Sequence, residues 1–374
     1  MVAWEKVLRA EVDPVLLRRR LTAGPPFRYP PAVSRSCSRS RPLLAALAAP
    51  AVLALAACPG TAPKPAARPP SDFPPELVDW VAYEGNPLLA GTGTDTWDRM
   101  IRERGFVLRE ADTWRLWYTG YDADPAETMR LGYATSPDGV RWTRHPANPV
   151  FDDTWTEDVH VTKHDGAYLM FAEGRNDVAH LLTSADGVRW EEKGRLDVRT
   201  RSGAPLSPGP YGTPTVWVES GTWYLFYERG DEGVWLATSA DRRVWRNVED
   251  APVIDRGPEA YDRHAVALNQ VVRYGGRYYG VYHANADPEW KGPWTTCLAA
   301  SDDLVHWTKY PRNPIIPGDH SSGILVEDEE GRLRLYTMHP EVRLWLPRGR
   351  PLPSPTGAAP ASGPGAATGH EVSR

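Results

Sequence analysis

The sequence predicts an all-β chain, a five-bladed β-propeller of four-stranded antiparallel blades. Three observations carry this expectation. A hairpin phrase recurs: Ser136-Pro137-Asp138-Gly139-Val140-Arg141-Trp142, Ser184-Ala185-Asp186-Gly187-Val188-Arg189-Trp190, and two looser copies starting at Ser239 and Ser301. Self-similarity at a period of about 50 residues marks a propeller or solenoid array. An aromatic strand precedes each phrase, and no amphipathic helix of useful length lies between the copies.

Taken in order, residues 1–57 read as a leader. Arg35, Arg39 and Arg41 precede an apolar stretch, Leu43 to Ala57, that ends at Leu55-Ala56-Ala57-Cys58. A basic segment, a short apolar segment and small residues describe a secretory signal. The stretch is shorter than the roughly 20 residues a membrane-spanning helix needs. Its end resembles a bacterial lipobox, which implies lipidation at Cys58 and an extracytoplasmic protein anchored in the bacterial cell envelope. Residues 58–75 are a Pro/Ala-rich tether. The propeller is expected over 76–347, and residues 348–374 form a Pro/Gly/Ala-rich tail expected to be disordered.

Within the body, second strands are expected at Trp114–Tyr118, Tyr168–Ala172, Trp223–Tyr227, Tyr278–Tyr282 and Leu333–Thr337. Third strands follow at Leu131–Thr135, Ala179–Thr183, Gly233–Thr238 and Thr296–Ala300. The Asp-Gly turn then leads into a strand begun by the Trp. Four blades are complete by this count. The fifth begins at Ile324, and residues near Trp80–Leu89 would complete it, closing the ring.

A net charge of −5 gives no electrostatic case for nucleic acid. Sixteen Trp and sixteen Tyr against six Phe suit either blade packing or sugar rings, since both side chains combine an apolar face with a polar handle. Cys37, Cys58 and Cys297 form neither a disulfide framework nor a metal motif. Cys297 lies in an apolar run and reads as a buried structural residue.

Two known groups carry similar hairpins. Sialidases have Ser-x-Asp-x-Gly-x-x-Trp on a six-bladed propeller, one residue longer than the phrase here. Asn148-Pro149-Val150, Asn313-Pro314-Ile315-Ile316, Gly132-Tyr133-Ala134-Thr135-Ser136 and Ala300-Ser301-Asp302-Asp303-Leu304-Val305-His306-Trp307 resemble the five-bladed arabinanase/levansucrase/invertase superfamily, which includes glycoside hydrolase families 43 and 32. That resemblance implies three carboxylates converging on the axis: a base or nucleophile, an orienting Asp and an acid. Alignment on the hairpin turns gives Asp158 the orienting position. Tyr211-Gly212 stand where the acid would lie, and Arg104 where the base would lie.

Substitutes are available. Glu173, Glu228 and His283 occupy one equivalent position, just past the aromatic strand, beside Glu157 and Asp158. Asp158, Glu228, Glu173 and Asp98 are therefore the candidate catalytic residues. Asp98 and Asp262 recur in matching phrases, Trp97-Asp98-Arg99-Met100 and Tyr261-Asp262-Arg263-His264, which equally suits a turn-fixing role. Glu157, His160, Arg175, Tyr211, Arg229, Asp262, His264, His283, His320 and Arg99 are candidate substrate-binding residues. No cofactor and no catalytic metal are expected, and a structural calcium stays open. The expected activity is hydrolysis of an oligo- or polysaccharide, arabinan-like if furanosidic, by acid/base carboxylates with inversion. The alternatives are a non-catalytic carbohydrate-binding propeller, a glycoside phosphorylase and a sialidase-like enzyme. The chain is expected to be a monomer.

Overall fold

A computed structural model describes residues 73–352, apart from 94, 123–128 and 208. The expected leader, Cys58, and most of the tether and tail lie outside the described residues. A four-residue helix, α1 (Pro75–Val78), and 23 strands follow.

Five antiparallel sheets form the blades. Blade one is β3 (Phe106–Glu110), β4 (Thr113–Tyr121), β5 (Arg130–Ser136) and β6 (Thr143–Arg144), with β2 (Met100–Ile101) pairing β4 beyond the start of β3. Blade two is β7 (Glu157–His164), β8 (Ala167–Gly174), β9 (Val178–Ser184) and β10 (Glu191–Arg195). Blade three is β12 (Gly212–Glu219), β13 (Thr222–Glu228), β14 (Gly233–Ser239) and β15 (Val244–Asn247). Two short strands join it: β11 (Asp197–Arg199), parallel to β15, and β16 (Ile254–Asp255), against β14. Blade four is β17 (Ala265–Tyr274), β18 (Arg277–Asn285), β19 (Thr295–Ser301) and β20 (Trp307–Lys309). Blade five is β21 (Ile324–Glu327), β22 (Leu333–Thr337) and β23 (Arg343–Pro347), with β1 (Trp80–Ala82) as its outermost strand. The ring is thus closed by N-terminal residues, as the sequence leads one to expect. The five blades also differ from the six that the related hairpin accompanies in sialidases. The innermost strands β3, β7, β12, β17 and β21 each touch the next, and β21 touches β3.

The recurring hairpin phrase has one structure. Ser184 Oγ accepts the Gly187 N–H at 2.8 Å, and Asp186 Oδ1 accepts the N–H groups of Val188 and Arg189 at 2.9 and 2.8 Å. Ser136/Asp138, Ser239/Asp241 and Ser301/Asp303 repeat this. Local side-chain acceptors replace the partners the turn backbone would otherwise lack. The Trp of each phrase then packs on an aromatic ring of the preceding blade. Trp190 meets Trp117, Trp245 meets Phe171, Trp307 meets Phe226, and Trp142 meets Tyr336, with ring centres 5.9–6.4 Å apart. Hydrophobic clusters accordingly straddle blade boundaries. Cys297 is fully buried in one of them.

Candidate active site

Three inner strands are bulged near their starts. Register shifts fall between Glu157 and His160 in β7, Gly212 and Thr215 in β12, and Leu268 and Gln270 in β17. A bulge bends the strand and re-aims a side chain. In β7 and β12 it places Asp158 and Thr213 in left-handed backbone, φ +46° and +43°. Such a conformation is uncommon for Asp and costly for a β-branched Thr. The second strands end opposite these bulges: Glu173 pairs with Glu157, Glu228 with Gly212, and His283 with Ala267.

Asp158, Glu173 and Glu228 are each at least nine-tenths buried, and the backbone of β12 links them. Thr213 donates its N–H to Glu173 Oε2 at 2.8 Å and Gly212 donates to Glu228 Oε1 at 3.1 Å. The Thr213 hydroxyl lies 3.2 Å from Glu173 Oε2 and 3.5 Å from Asp158 Oδ2, so these two oxygens are at most 6.7 Å apart, the sum of those distances. A Cβ on Gly212 would stand 2.3 Å from Glu228 Oε1 and 2.5 Å from Glu173 Oε2. The two glutamate oxygens therefore approach within 4.8 Å, again the sum. Glu157 is the cross-strand partner of Glu173, with Oε1 accepting the Trp155 Nε1–H at 2.6 Å.

Crowded buried carboxylates hold protons. Burial first, then the charges of Glu173 and Glu103, push Asp158 up to about 7, against the opposing charge of Arg104. Burial, followed by Asp231, Glu173 and Asp177, holds Glu228 well above the usual carboxylate range. Asp231 nonetheless donates its N–H to Glu228 Oε2 at 2.6 Å.

Arg104, where the resembling families place a carboxylate, is a structural hub. It is fully buried. Its backbone N–H donates to Asp158 Oδ1 at 2.8 Å. Its guanidinium donates to Thr215 Oγ1 (2.5 Å), to the carbonyls of Pro214 (2.8 Å), Leu268 (3.0 Å) and Asn269 (3.1 Å), and to the Asp158 carbonyl. One side chain thereby ties blades two, three and four to the lead-in of blade one. Beyond this level an axial cavity of about 420 Å³ opens, with Phe106, His160, Val216, Gln270 and Leu325 contributed by the five inner strands.

The other predicted residues fall into separate places. His283 is buried, and its Nδ1 meets Asn269 Oδ1 at 2.8 Å. Burial and the charges of Arg104 and His339 hold it down at about 3, so it is neutral, and Nδ1–H donates to the amide oxygen. His160 faces the axial cavity, with its ring on Phe106 at 4.5 Å, and burial followed by Arg104 keeps it neutral. His264 and His320 lie against Trp290 and Trp345. Arg175 is exposed and lies over the Trp155 ring at 4.7 Å, and Arg229 over Trp235 at 5.7 Å. Tyr211 is buried in a blade-boundary cluster and donates to the Leu196 carbonyl. Arg99 is exposed and reaches the Asp122 carbonyl at 3.4 Å.

Asp98 and Asp262 are bound within their own blades. Asp98 accepts from Thr92 Oγ1, Tyr118 OH and Arg144. Asp262 accepts from Lys309 Nζ at 2.5 Å. Arg144 and Lys309 belong to the outermost strands of blades one and four, so the repeated phrase pins each blade's lead-in to its rim. Asn148 and Asn313 belong to the same device, bonding Tyr118 and Tyr282 and the adjacent backbone. Among the described residues, no group of three or more His, Cys, Asp or Glu is arranged to hold a metal ion.

Sequence reasoning missed Thr213 and Asn269, which carry no motif, and did not see why position 212 is Gly. It also missed His339, 97% buried at the end of blade five's second strand, whose Nε2 lies 3.5 Å from Asp319. The equivalence of second-strand ends that singled out Glu173 and Glu228 points in blade five to Met338, one residue short of it.

The chain is a closed ring of five blades with buried carboxylates at the starts and ends of its inner strands. Solved structures agree on the fold. A glycosyl hydrolase from Bacteroides ovatus superposes with a TM-score of 0.62 at 15% identity, covering 75% of this chain and 97% of that one. A candidate glycosidase from Bacteroides thetaiotaomicron gives 0.60 at 18% identity, over 73% and 98%. By sequence, the chain is similar to an uncharacterised protein of Mycobacterium tuberculosis, 26% identical over 197 residues, 48% of this chain. The match spans 65% of that relative, just under two thirds of its length. It is also similar to a 1,2-β-oligomannan phosphorylase of a Thermoanaerobacter species, 23% identical over 218 residues, covering 54% of this chain and 70% of that enzyme. No protein-family model matches.

Proposed function

We propose that this protein hydrolyses a glycosidic bond of an oligo- or polysaccharide at the axial carboxylates. The observation that carries the proposal is the linkage of Asp158, Glu173 and Glu228 through Gly212 and Thr213, with Asp158 holding its proton near neutral pH. Asp158 is the general acid and protonates the leaving oxygen. Glu173, with two donors converging on Oε2, is the carboxylate that removes a proton from the attacking water. Their oxygens lie at most 6.7 Å apart, a bound that admits both the separation of about 5 Å in retaining enzymes and the lower edge of the inverting range, about 6.5–9.5 Å between carboxyls. After turnover Asp158 is charged and Glu173 protonated. The Thr213 hydroxyl, within reach of both, is placed to return the proton. The lipobox-like Leu55–Cys58 stretch makes this, in the same proposal, an extracytoplasmic activity anchored at the cell envelope.

The test uses Asp158→Asn and Glu173→Gln on a panel of aryl furanosides and pyranosides. Loss of a general acid slows substrates with poor leaving groups most, so Asp158→Asn should spare dinitrophenyl glycosides. Full turnover by both variants would remove the assignment, and no turnover of any glycan by the parent would favour the non-catalytic binding propeller. Proton NMR of the first-formed sugar checks inversion. Retention would make Glu173 the nucleophile and leave the glycosidase reading intact.

A second reading is phosphorolysis, favoured by the similarity to an oligomannan phosphorylase. Phosphate then replaces water and Asp158 keeps its role. The exposed Arg175 and the half-buried Arg229 are cations near the ends of the strands that carry Glu173 and Glu228. Dependence of turnover on inorganic phosphate, with release of a sugar 1-phosphate, separates the two readings.

A further inference from the structure

Fifteen of the sixteen tryptophans are described, and thirteen of these belong to the hydrophobic clusters that hold the blades together. Trp290 and Trp294 belong to none of them. Both sit in the loop that joins β18 to β19, which starts just past Asn285, two residues beyond His283. Their rings are stacked on each other, with centres 5.7 Å apart and planes at 28°, and both are only half-buried. Trp294 and His283 meet nearly perpendicular, with ring centres 5.1 Å apart.

The loop is braced. Asn285, fully buried, donates from Nδ2 to the Gly292 carbonyl at 3.1 Å and accepts the Asp287 N–H at 2.7 Å. Asp287 accepts the Glu289 N–H at 2.8 Å on its side chain and the Trp290 N–H at 3.0 Å on its carbonyl. Asp319, from blade five, accepts the Trp294 N–H at 3.0 Å. Within this frame Trp290 is held at φ +61°, a left-handed conformation that is a genuine outlier for so bulky a side chain. Strain maintained by surrounding hydrogen bonds, at a residue that packs in no core, calls for a role outside packing. Beside the loop, Asn269 is fully buried, and its Nδ2 has no hydrogen-bond partner among the described residues. His283 accepts at Nε2 once Nδ1–H is committed to Asn269 Oδ1.

We infer that Trp290 and Trp294 form a carbohydrate subsite in which the second sugar beyond the cleaved bond stacks its C–H face on the indole of Trp290, while His283 Nε2, its ring held by Asn269, accepts from a hydroxyl of the first. An indole offers such a face a large, rigid apolar surface. The inference rests on the glycan reading of the axial site and names its substrate class: oligosaccharides of at least three residues rather than single-sugar glycosides.

The probes are a length series of β-1,2-mannan and α-1,5-arabinan oligosaccharides, one to five sugars long, with the matching glycosyl fluorides, which carry no second ring. Trp290→Ala should raise KM for a tetrasaccharide at least tenfold more than for the fluoride, and Trp290→Phe should recover most of that difference. Equal effects on tetrasaccharide and fluoride overturn the subsite while leaving the catalytic assignment standing. If the parent turns over none of the probes, tetrasaccharide binding is read by tryptophan fluorescence. A quench in the parent that Trp290→Ala abolishes supports the subsite without chemistry, and absence of any quench overturns it.

Discussion

Glu173 and Glu228 face each other across the α-carbon of Gly212, each taking an N–H from consecutive residues of the same bulged strand. No side chain fits between them. Two carboxylates from neighbouring blades are thus brought to within 4.8 Å at the one position where the intervening strand has no Cβ.

Gly212→Ala should therefore cost activity before it costs the fold. The added methyl must displace at least one glutamate, and overpacking of this kind costs about 1–3 kcal/mol. The expected result is a fall in kcat of more than about a hundredfold, from about 3 kcal/mol less transition-state stabilisation, with a modest drop in melting temperature. Turnover and circular-dichroism melts of the same preparation check it.

Asp158 gives a pH signature with a defined sign. Its folded-state value of about 7 lies above the value of about 4 of an unfolded Asp. Between those limits the folded protein binds the extra proton, so stability falls as pH rises through the window and levels off above it. Asp158→Asn should flatten this slope and be more stable than the parent at pH 8. Turnover in the parent should fall above about pH 7 as the acid is lost. Urea titrations at pH 5 and pH 8 together with a pH–rate profile test both halves.

Asp98 and Asp262 should behave alike, and unlike Asp158. Each holds a cation of its blade's outermost strand. Changing either to Ala removes a charge-assisted hydrogen bond from a cation that keeps its backbone acceptors, at about 1.5–3 kcal/mol. Lower unfolding midpoints with kcat within twofold of the parent are expected. A hundredfold loss of kcat at constant stability in Asp98→Ala would instead make it a catalytic group.

Arg104→Met should be the most damaging of these changes to the fold. It strips donors from carbonyls in blades two, three and four at once. Removing one member of a buried charged network costs about 3–5 kcal/mol. Arg104→Lys should rescue little, because one ammonium cannot span acceptors that a planar fork reaches. Chemical denaturation midpoints measure the loss.

Much of the architecture was legible in the sequence because it rests on local chemistry. The Ser-x-Asp turn satisfies its own backbone, and the following Trp marks the blade boundary, so counting from it located the second and third strands of the four blades that carry the phrase; the third strand of blade five, Arg343–Pro347, which no such phrase follows, was not located. The equivalence of Glu173, Glu228 and His283 followed from the same ruler. The bulges were not legible, because they depend on how neighbouring inner strands crowd the axis rather than on residue pattern. Alignment placed Arg104 at the site of an expected carboxylate, yet its role depends on carbonyls 54 to 165 residues away in sequence. The strain at Trp290 likewise leaves no mark in composition.

The strand that closes the ring has a consequence for how the fold can be cut. β1 lies against β23, with Trp80 opposite Pro347, and Arg348 is paired with Asp79 at 3.0 Å. The two ends of the propeller body are therefore neighbours on the outer edge of blade five. A short loop joining residues 348 and 79 would make the backbone of the body continuous, and new termini could be opened in any of the solvent-facing Ser-x-Asp turns. Such circular permutants, with the axial carboxylates untouched, would move the seam around the ring one blade at a time.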